Sequence, residues 1–393
     1  MIETADIVVI GGGIVGCACV RELARHQPQA RIVLLDRGPI AGGTSSCCMG
    51  HLMVTPDDAQ HYAFTHTSVQ LWRDLHLEMG GFDYSDDGAL YLADGPEDLP
   101  LLEMLRDQFE AAGDSAELLD PKQLRECEPG LAEDIPGGLL YRGDGVVLPM
   151  TATGAMLRSA QRANERVSIR PGVEVVGIER SQGRIATVRT NAGDIATERV
   201  VVAGGVWSPA IAKMVGVEDL GVVPRAGNLA ITGHHCSPVR WQMLEVGYLR
   251  AAHGEAQADP LRPGEDPGVT ALNMQPQSLG SCLIGSTRQF RGLDRTLDRQ
   301  LLHEALQGAA RYAPGLLDAP IVRTWAGLRP YSLDGSPWIG PWPGVEGLWV
   351  ATGHEGLGIT LAPVTGLLLA QQMSGEPTVI DERPYLPAGR RSA

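Results

Sequence analysis

Positive charge is scarce in this sequence. Its 393 residues carry 32 Lys and Arg against 47 Asp and Glu, a formal net charge of −15, and the only lysines are Lys122 and Lys213. No basic patch offsets the acidic excess, and a nucleic-acid backbone would be repelled by it. The charge balance therefore argues against a nucleic-acid partner.

Aromatic residues and long apolar runs are also scarce. Aromatics make up 5% of the chain, with four Phe, so the core is predicted to consist mostly of Val, Leu, Ile and Ala. No run approaches the roughly 20 consecutive apolar residues that a membrane-spanning helix needs. The length and the 44% apolar content predict a soluble protein of two to three domain-sized units with a large core.

The seven cysteines form no CxxC pair, and the ten histidines include no HExxH motif. An odd number of cysteines in a long chain argues against a secreted disulfide framework, and the sequence predicts no metal site. Glu3 and Asp6 stand where a signal peptide would carry positive charge. We therefore expect a cytoplasmic protein.

The chain opens with a dinucleotide-binding pattern. Residues 7–10, Ile-Val-Val-Ile, predict a buried parallel strand, a predicted helix follows, and residues 31–35 predict a second strand that ends at Asp36. The turn between the first strand and the helix fits GxGxxG at Gly11, Gly13 and Gly16. Such a turn lets backbone approach a pyrophosphate at the helix N-terminus, and a carboxylate at the end of the second strand can bind ribose.

Later segments favour FAD over NAD. Residues 173–205 and 348–358 return to β-rich, glycine-ended stretches far from the opening unit, and FAD is long enough to need such segments. Helices are predicted over 59–79, over 151–164 with Thr151 or Thr153 as cap, and over 297–312. The predicted fold class is α/β: a doubly wound, Rossmann-like FAD-binding domain and a second α+β substrate domain on an antiparallel or mixed sheet.

The predicted FAD-binding domain is discontinuous. It comprises residues 1–80, 149–217 and 321–393, and the substrate-binding domain comprises residues 81–148 and 218–320.

An ordered set of motifs resembles the glycine oxidase and D-amino-acid oxidase family of FAD-dependent enzymes. The motifs are the glycine turn, Gly42-Gly43-Thr44-Ser45-Ser46, Val202-Ala203-Gly204-Gly205-Val206-Trp207, Ala326-Gly327-Leu328-Arg329-Pro330 and Gly353-His354-Glu355-Gly356-Leu357-Gly358. The last motif is more similar to the dehydrogenase branch of the family than to several of its oxidases. That branch includes D-hydroxyproline dehydrogenases and the glycine-oxidising subunit of hydrogen cyanide synthases.

The resemblance implies which residues hold the cofactor. They are Gly11, Gly13, Ile14, Val15, Gly16, Asp36, Arg37, Thr44, Ser45, Met49, Gly50, His51, Val175, Gly204, His354, Gly356, Leu357, Gly358, Ile359 and Thr360. Some related oxidases attach the flavin to a cysteine near the position of Tyr331, but this chain has none there, so we expect noncovalent FAD.

Three residues are expected at the substrate. Arg329 matches the family arginine that pairs with the substrate carboxylate, a geometry that suits the two parallel donors of a guanidinium. Asn273 stands where family oxidases often place a tyrosine. Glu355 either holds a substrate amine or hydroxyl or orients the adjacent turn, and the sequence leaves both roles open.

The resemblance implies oxidation of an amino or imino acid C–N bond by hydride transfer to flavin. The first substrate candidate is cis-4-hydroxy-D-proline and the second is D-proline, with a quinone or an electron-transfer protein as acceptor. The alternatives are a glycine, sarcosine or D-amino-acid oxidase that uses O₂, and a flavin subunit of a larger complex. The sequence does not decide whether the protein forms a homo-oligomer or contacts the inner face of a membrane peripherally.

Overall fold

The computed structural model describes residues 2–247, 258–263 and 265–388. Among these, the helices in chain order are α1 (Ile14–His26), α2 (Ala59–Met79), α3 (Leu99–Ala111), α4 (Pro121–Cys127), α5 (Pro149–Ala163), α6 (Ser208–Lys213), α7 (Arg299–Tyr312) and α8 (Ala362–Ser374). The strands are β1 (Glu3–Thr4), β2 (Ile7–Ile10), β3 (Ile32–Asp36), β4 (His51–Leu52), β5 (Tyr84–Ser85), β6 (Ala89–Leu92), β7 (Ala116–Leu119), β8 (Gly138–Tyr141), β9 (Gly145–Val147), β10 (Val167–Pro171), β11 (Val175–Ser181), β12 (Arg184–Thr190), β13 (Gly193–Ala196), β14 (Val200–Val202), β15 (Val222–Thr232), β16 (Gln242–Glu245), β17 (Val269–Pro276), β18 (Cys282–Arg288), β19 (Ile321–Ser332), β20 (Trp338–Pro341) and β21 (Leu348–Thr352).

One large sheet has the strand order β10-β3-β2-β14-β21-β20, and only β20 runs antiparallel to its neighbour. Its strand β2 is buried along its whole length. Ile7 and Val9 pack against residues of the helices on one face, whereas Val8 and Ile10 pack against the four-stranded sheet β1-β13-β12-β11 on the other. A strand covered on both faces explains the continuous apolar run in the sequence.

Helices α1, α5 and α8 pack together over this sheet. The contact between α1 and α8 is close because Gly366 has no side chain. A Cβ at Gly366 would lie 2.6 Å from both the carbonyl carbon and the carbonyl oxygen of Ala18. Backbone therefore touches backbone where the first and last helices of the described chain meet.

Helix α5 begins earlier than the sequence suggested. It starts at Pro149, with Leu148 as the N-cap residue, so the caps predicted at Thr151 and Thr153 are wrong. Proline suits the first helical turn because its φ is already helical and its missing N–H would have no partner there. Both threonine hydroxyls instead donate inside the helix, Thr151 to the Leu148 carbonyl and Thr153 to the Pro149 carbonyl.

The second large sheet is mixed and has the order β19-β15-β18-β17-β16-β6-β8-β7. Strands β16 and β6 are parallel, and every other neighbouring pair is antiparallel. Helix α7 packs on β17 and β18 and helps to close a core that contains Leu90, Met243 and Ile284. The long edge strand β19 runs along β15 and carries the Gly327-Leu328-Arg329-Pro330 motif to the boundary between the two sheets.

The predicted α/β class is confirmed, with a sheet that is parallel except for its edge strand β20 and a larger mixed sheet. One face of the parallel sheet is covered by β-strands rather than by helices. The division into two discontinuous domains stays a prediction; residues 321–332, which it assigns to the FAD-binding domain, form the edge strand of the mixed sheet. Within the described residues, no helix combines the length and the apolar character that crossing a membrane requires.

Candidate active site

A cavity of about 440 Å³ lies at the carboxyl ends of β2, β3, β14 and β21. This edge is where open parallel sheets bind nucleotides. The sequence-predicted site residues that line it are Gly11, Gly13, Ile14, Val15, Asp36, Arg37, Thr44, Ser45, Val175, Gly204, Arg329, His354, Glu355, Gly356, Gly358 and Ile359. The predicted residues outside its lining are Gly16, Met49, Gly50, His51, Asn273, Leu357 and Thr360.

The glycine turn brings backbone close to the cavity. Gly11 has a φ of +119°, which suits glycine, and a Cβ there would overlap the carbonyl oxygen of Ala203. A Cβ on Gly16 would overlap the carbonyl oxygen of Gly11, so α1 packs directly on the turn. The N-cap residue Gly13 has no side chain to hydrogen-bond the first N–H groups of α1. The helix therefore presents a positive N-terminal end to the cavity.

Asp36 anchors this turn. Its Oδ2 accepts a hydrogen bond from the Gly12 N–H at 2.7 Å, and its Oδ1 accepts one from the Gly38 N–H at 2.7 Å. An ionised carboxylate offers about four acceptor positions, so Asp36 keeps capacity for two ribose hydroxyls. The predicted ribose contact is compatible with this geometry because Asp36 also lines the cavity.

A cation–aromatic pair forms the wall beside Asp36. The Arg37 guanidinium carbon lies 4.5 Å from the centre of the Trp207 ring, and both residues line the cavity. Val175 lies on the same wall, at the start of β11. Two residues before it, the Val173 N–H donates to the Asp36 carbonyl at 2.9 Å and so holds this segment beside β3. Trp207 was missed as a site residue, although it lies two residues after Gly205 in the glycine-ended segment that the sequence analysis singled out.

The loop after β3 connects the glycine turn to β19. The Ser45 hydroxyl accepts a hydrogen bond from the Ile14 N–H at 3.0 Å. The Thr44 hydroxyl donates to the Leu328 carbonyl at 2.5 Å. The loop therefore fixes Arg329, the residue after Leu328, relative to the start of α1.

His51 and Thr360 lie behind the cavity in a buried polar network. His51 Nε2 lies 3.0 Å from Asp144 Oδ2, which also accepts from the Tyr91 hydroxyl at 2.8 Å. The Thr360 hydroxyl donates to the His51 carbonyl at 3.2 Å and accepts from the Met53 N–H at 3.1 Å. The other oxygen, Asp144 Oδ1, accepts from the Val54 N–H at 2.9 Å. The direct FAD contacts of His51 and Thr360 stay predictions.

His354 lines the cavity as a neutral imidazole. Burial lowers its pKa to about 3, and its Nε2 lies 3.0 Å from the Thr365 hydroxyl. A neutral ring can take part in only one donor and one acceptor contact, and one of these is used by Thr365. His354 therefore carries no positive charge at neutral pH.

Arg329 reaches across the mixed sheet. It lies on β19, and its Nη1 donates to the Thr287 carbonyl of β18 at 3.0 Å, passing over the intervening strand β15 at Gly227. The side chain also lies against the last glycine motif, since a Cβ on Gly356 would be 3.9 Å from Arg329 Cδ. The guanidinium thus stands where both sheets meet the cavity.

Glu355 faces the cavity from a strained turn. Its φ is +46°, a backbone conformation that residues other than glycine rarely adopt. Its Oε1 lies 3.6 Å from Arg225 Nη1 and 3.8 Å from Arg288 Nε. Burial alone would raise the pKa of Glu355, but the charges of Arg288, Arg329 and Arg225 outweigh burial and lower it. Glu355 is therefore an anion, and its other oxygen accepts from the Gly356 N–H.

Asn273 does not line the cavity. It is buried on β17, where its Oδ1 accepts a hydrogen bond from Gln242 Nε2 at 2.5 Å. Its substrate contact stays a prediction. Within the described residues, no group of three or more His, Cys, Asp or Glu side chains is arranged to hold a metal ion.

Comparison with known proteins identifies the class. The sequence profile of the DAO-type FAD-dependent oxidoreductases matches residues 6–372. The chain is 30% identical to the glycine oxidase of Pseudomonas aeruginosa over 98% of this chain and 99% of that protein. It is 28% identical to the hydrogen cyanide synthase subunit HcnC of the same organism over 99% and 97%. The crystal structure of glycine oxidase from Geobacillus kaustophilus superposes with a TM-score of 0.85 at 25% identity, over 99% and 100% of the two chains.

The chain belongs to the DAO family of FAD-dependent oxidoreductases. It is an enzyme of the kind that oxidises amino-acid C–N bonds, and the predicted FAD cofactor is confirmed. The cavity fits that cofactor because the glycine turn admits no side chain, α1 presents its N-terminus, and Asp36 keeps acceptor capacity.

Proposed function

We propose that the protein oxidises the C–N bond of an amino or imino acid whose carboxylate pairs with Arg329. The observation that carries this proposal is the position of Arg329, which lines the cavity beside His354 and Gly356. A guanidinium can bind a carboxylate with two parallel hydrogen bonds and so fix the orientation of the adjacent carbon. FAD supplies the acceptor for a hydride when it is bound.

Other residues that line the cavity can bind the parts of the cofactor. The N-terminus of α1 and the Ser45 loop would hold the pyrophosphate, and Asp36 would hold ribose. The wall of Arg37, Trp207 and Val175 would lie beside the adenosine end. Apolar surroundings favour the neutral form of the substrate amine, whose lone pair assists hydride loss. No protein base is required.

Two groups of substrates are candidates. The motif from Gly353 to Gly358 resembles D-hydroxyproline dehydrogenases, which supports cis-4-hydroxy-D-proline and then D-proline. The full-length similarity to proteins named glycine oxidase supports glycine or sarcosine with O₂ as acceptor equally well. The similarity to HcnC supports a third arrangement, a flavin subunit within a larger complex.

Anaerobic flavin reduction tests the proposal. The purified yellow protein is mixed with cis-4-hydroxy-D-proline, D-proline, L-proline, glycine, sarcosine and D-alanine, and the flavin absorbance is followed. Bleaching by D-imino acids with slow reoxidation in air supports the dehydrogenase, and bleaching by glycine or sarcosine with fast reoxidation supports the oxidase. Turnover with an artificial acceptor by the isolated chain would argue against an obligatory partner. Absence of bleaching by any amino acid would overturn the proposal.

A further inference from the structure

Two opposite charges lie next to each other in the wall of the cavity. Arg329 and Glu355 both line it. Arg329 lies against the residue that follows Glu355, since a Cβ on Gly356 would be 3.9 Å from Arg329 Cδ and 4.0 Å from its Nε. The charge of Arg329 also acts on the Glu355 carboxylate. A ligand in this part of the cavity therefore meets a cation and an anion together.

Two further arginines hold the Glu355 carboxylate from outside the cavity lining. Glu355 Oε1 lies 3.6 Å from Arg225 Nη1 and 3.8 Å from Arg288 Nε, and the side chains of these arginines are 4% and 3% exposed. The Arg225 guanidinium carbon lies 5.1 Å from the centre of the Phe290 ring and 5.5 Å from that of Tyr331, both within cation–π range. These contacts fix the position of the anion.

The two carboxylate oxygens of Glu355 have different surroundings. Oε1 is buried beside the arginines, whereas Oε2 accepts a hydrogen bond from the Gly356 N–H. The side chain as a whole is 25% exposed. A ligand that reaches the carboxylate from the cavity therefore meets Oε2. An ionised carboxylate offers about four acceptor positions, about two on each oxygen, so Oε2 keeps capacity for one donor from a ligand.

The backbone of Glu355 supports a role in ligand binding. Its φ of +46° lies in the region that glycine adopts most readily, and glycine follows it at Gly356 and Gly358. Backbone strain of this kind persists where the surrounding structure imposes it, and it is concentrated in active sites and ligand-binding sites. The carboxylate is thus present at the cavity despite a backbone conformation that disfavours any side chain.

We propose that Glu355 binds the ammonium group of the substrate, so that a zwitterionic amino or imino acid is held between Arg329 and Glu355. The inference rests on the proposed function for the position of the substrate carboxylate at Arg329. It restricts good ligands to carboxylates that carry a cationic amine with at least one N–H, and it disfavours 2-hydroxy acids and simple carboxylates. An anion favours the ammonium form, whereas hydride loss requires the neutral amine. Glu355 therefore acts in binding and does not accelerate hydride transfer.

Unreactive ligands test the ammonium site without any turnover. 2-Aminoisobutyrate and pivalate have the same shape, since the ammonium of the first replaces a methyl group of the second, and neither has a hydrogen on the α-carbon. 1-Aminocyclopropane-1-carboxylate and 1-methylcyclopropane-1-carboxylate form a second such pair. Each ligand is titrated into the FAD-loaded protein at neutral pH and constant ionic strength, and the flavin spectrum and the melting temperature report binding. We expect the amine to bind at least tenfold more tightly in at least one pair. Equal or weaker binding of the amine in both pairs would overturn the proposal.

Glu355→Gln distinguishes ammonium binding from a structural role. It is expected to weaken binding of the amine at least tenfold and to leave its isostere bound equally or more tightly, because an anion beside Arg329 is removed. Glu355→Asp keeps the charge and is expected to restore part of the amine affinity. Glu346 also pairs with an arginine, Arg184, at 2.6 Å and lies outside the cavity lining, so Glu346→Gln is the control that should change neither affinity. Equal weakening of both ligands in Glu355→Gln would mean that Glu355 only orients its turn, and the proposal would fall.

The reaction provides a second measurement. With an amine that bleaches the flavin, Glu355→Gln should raise the concentration for half-maximal reduction rate at least tenfold without lowering the limiting rate. A lower limiting rate at an unchanged half-maximal concentration would contradict the proposal. If an amine bleaches the flavin but neither pair shows a preference for the amine, the proposed function stands and the ammonium site falls. If the preference is present but no amine bleaches the flavin, the proposed reaction falls and the ammonium site stands.

Discussion

The guanidinium of Arg329 occupies the space where a side chain on Gly227 would lie. A Cβ on Gly227 would overlap Arg329 Nη1 and would be 2.8 Å from Nη2 and 2.7 Å from the Thr287 carbonyl oxygen. Arg329 is thereby able to lie flat on β15 and donate to Thr287 on the next strand. The absence of a side chain on one strand thus sets the position of the proposed carboxylate-binding group on another.

Gly227→Ala is expected to weaken substrate binding while the protein still binds FAD. The new methyl group displaces the guanidinium, and a displacement of about 1 Å can cost on the order of 100-fold in catalytic efficiency. The dissociation constant for substrate, measured from flavin reduction, should rise at least tenfold while the flavin absorbance per protein is kept. Gly177→Ala on β11, where the nearest neighbours are at ordinary contact distance, is the control. Unchanged substrate affinity in Gly227→Ala would contradict this role.

Arg329→Leu removes the proposed carboxylate partner directly. A hydrogen bond to a charged group is worth about 1.5–3 kcal/mol, so kcat/KM should fall about 10- to 100-fold or more. The cofactor should remain because Arg329 is not part of the glycine turn or the Asp36 anchor. Steady-state kinetics with the substrate identified by flavin bleaching provide the measurement, and kinetics equal to those of the native chain would show that the carboxylate binds elsewhere.

His354 is expected to make the free energy of unfolding depend on pH below neutrality. Its pKa is lowered to about 3 by burial, so the unfolded chain binds a proton between about pH 6.5 and pH 3 that the folded chain does not. The stability contribution is complete above pH 6.5 and is lost as pH falls, by up to about 1.4 kcal/mol per pH unit. His354→Gln should flatten the pH dependence of the free energy of unfolding in this window, measured by urea titration.

The exposed His234 provides the comparison for this experiment. His234→Gln should leave the slope of the unfolding free energy against pH as it is in the native chain. An identical slope in His354→Gln and His234→Gln would mean that the buried imidazole does not resist protonation.

The opening unit was predictable because its signals are local. Residues 7–10 and 31–35 were predicted as strands, and the structure has Ile7–Ile10 and Ile32–Asp36, with α1 between them. A continuous apolar run, a glycine turn and an acidic residue at the end of a strand each determine the local structure of a few neighbouring residues. Helix α2 likewise coincides with the predicted range 59–79 because its periodic apolar side is contained in one segment.

The arginine cluster was not predictable in the same way. Arg225, Arg288 and Arg329 lie on three strands that are far apart in sequence, and only the pairing of β15 with β18 and β19 brings them to one carboxylate. The role of Gly227 has the same origin, since it depends on what crosses over that strand. The pairing of strands that are distant in sequence, which no short motif encodes, therefore determines which side chains meet at the proposed substrate end of the cavity.

Two glycines in helices should respond oppositely to alanine. Gly366 of α8 lies against the backbone of Ala18, so the methyl group of Gly366→Ala forces α1 and α8 apart, and we expect a loss of about 1–3 kcal/mol of stability. A Cβ on Gly308 of α7 would have no neighbouring atom within 4 Å, so Gly308→Ala should gain about 0.5–1 kcal/mol from helix propensity. Urea unfolding of both variants measures the difference. A gain in both would show that the two helices can separate without cost, and the close contact at Gly366 would then not limit stability.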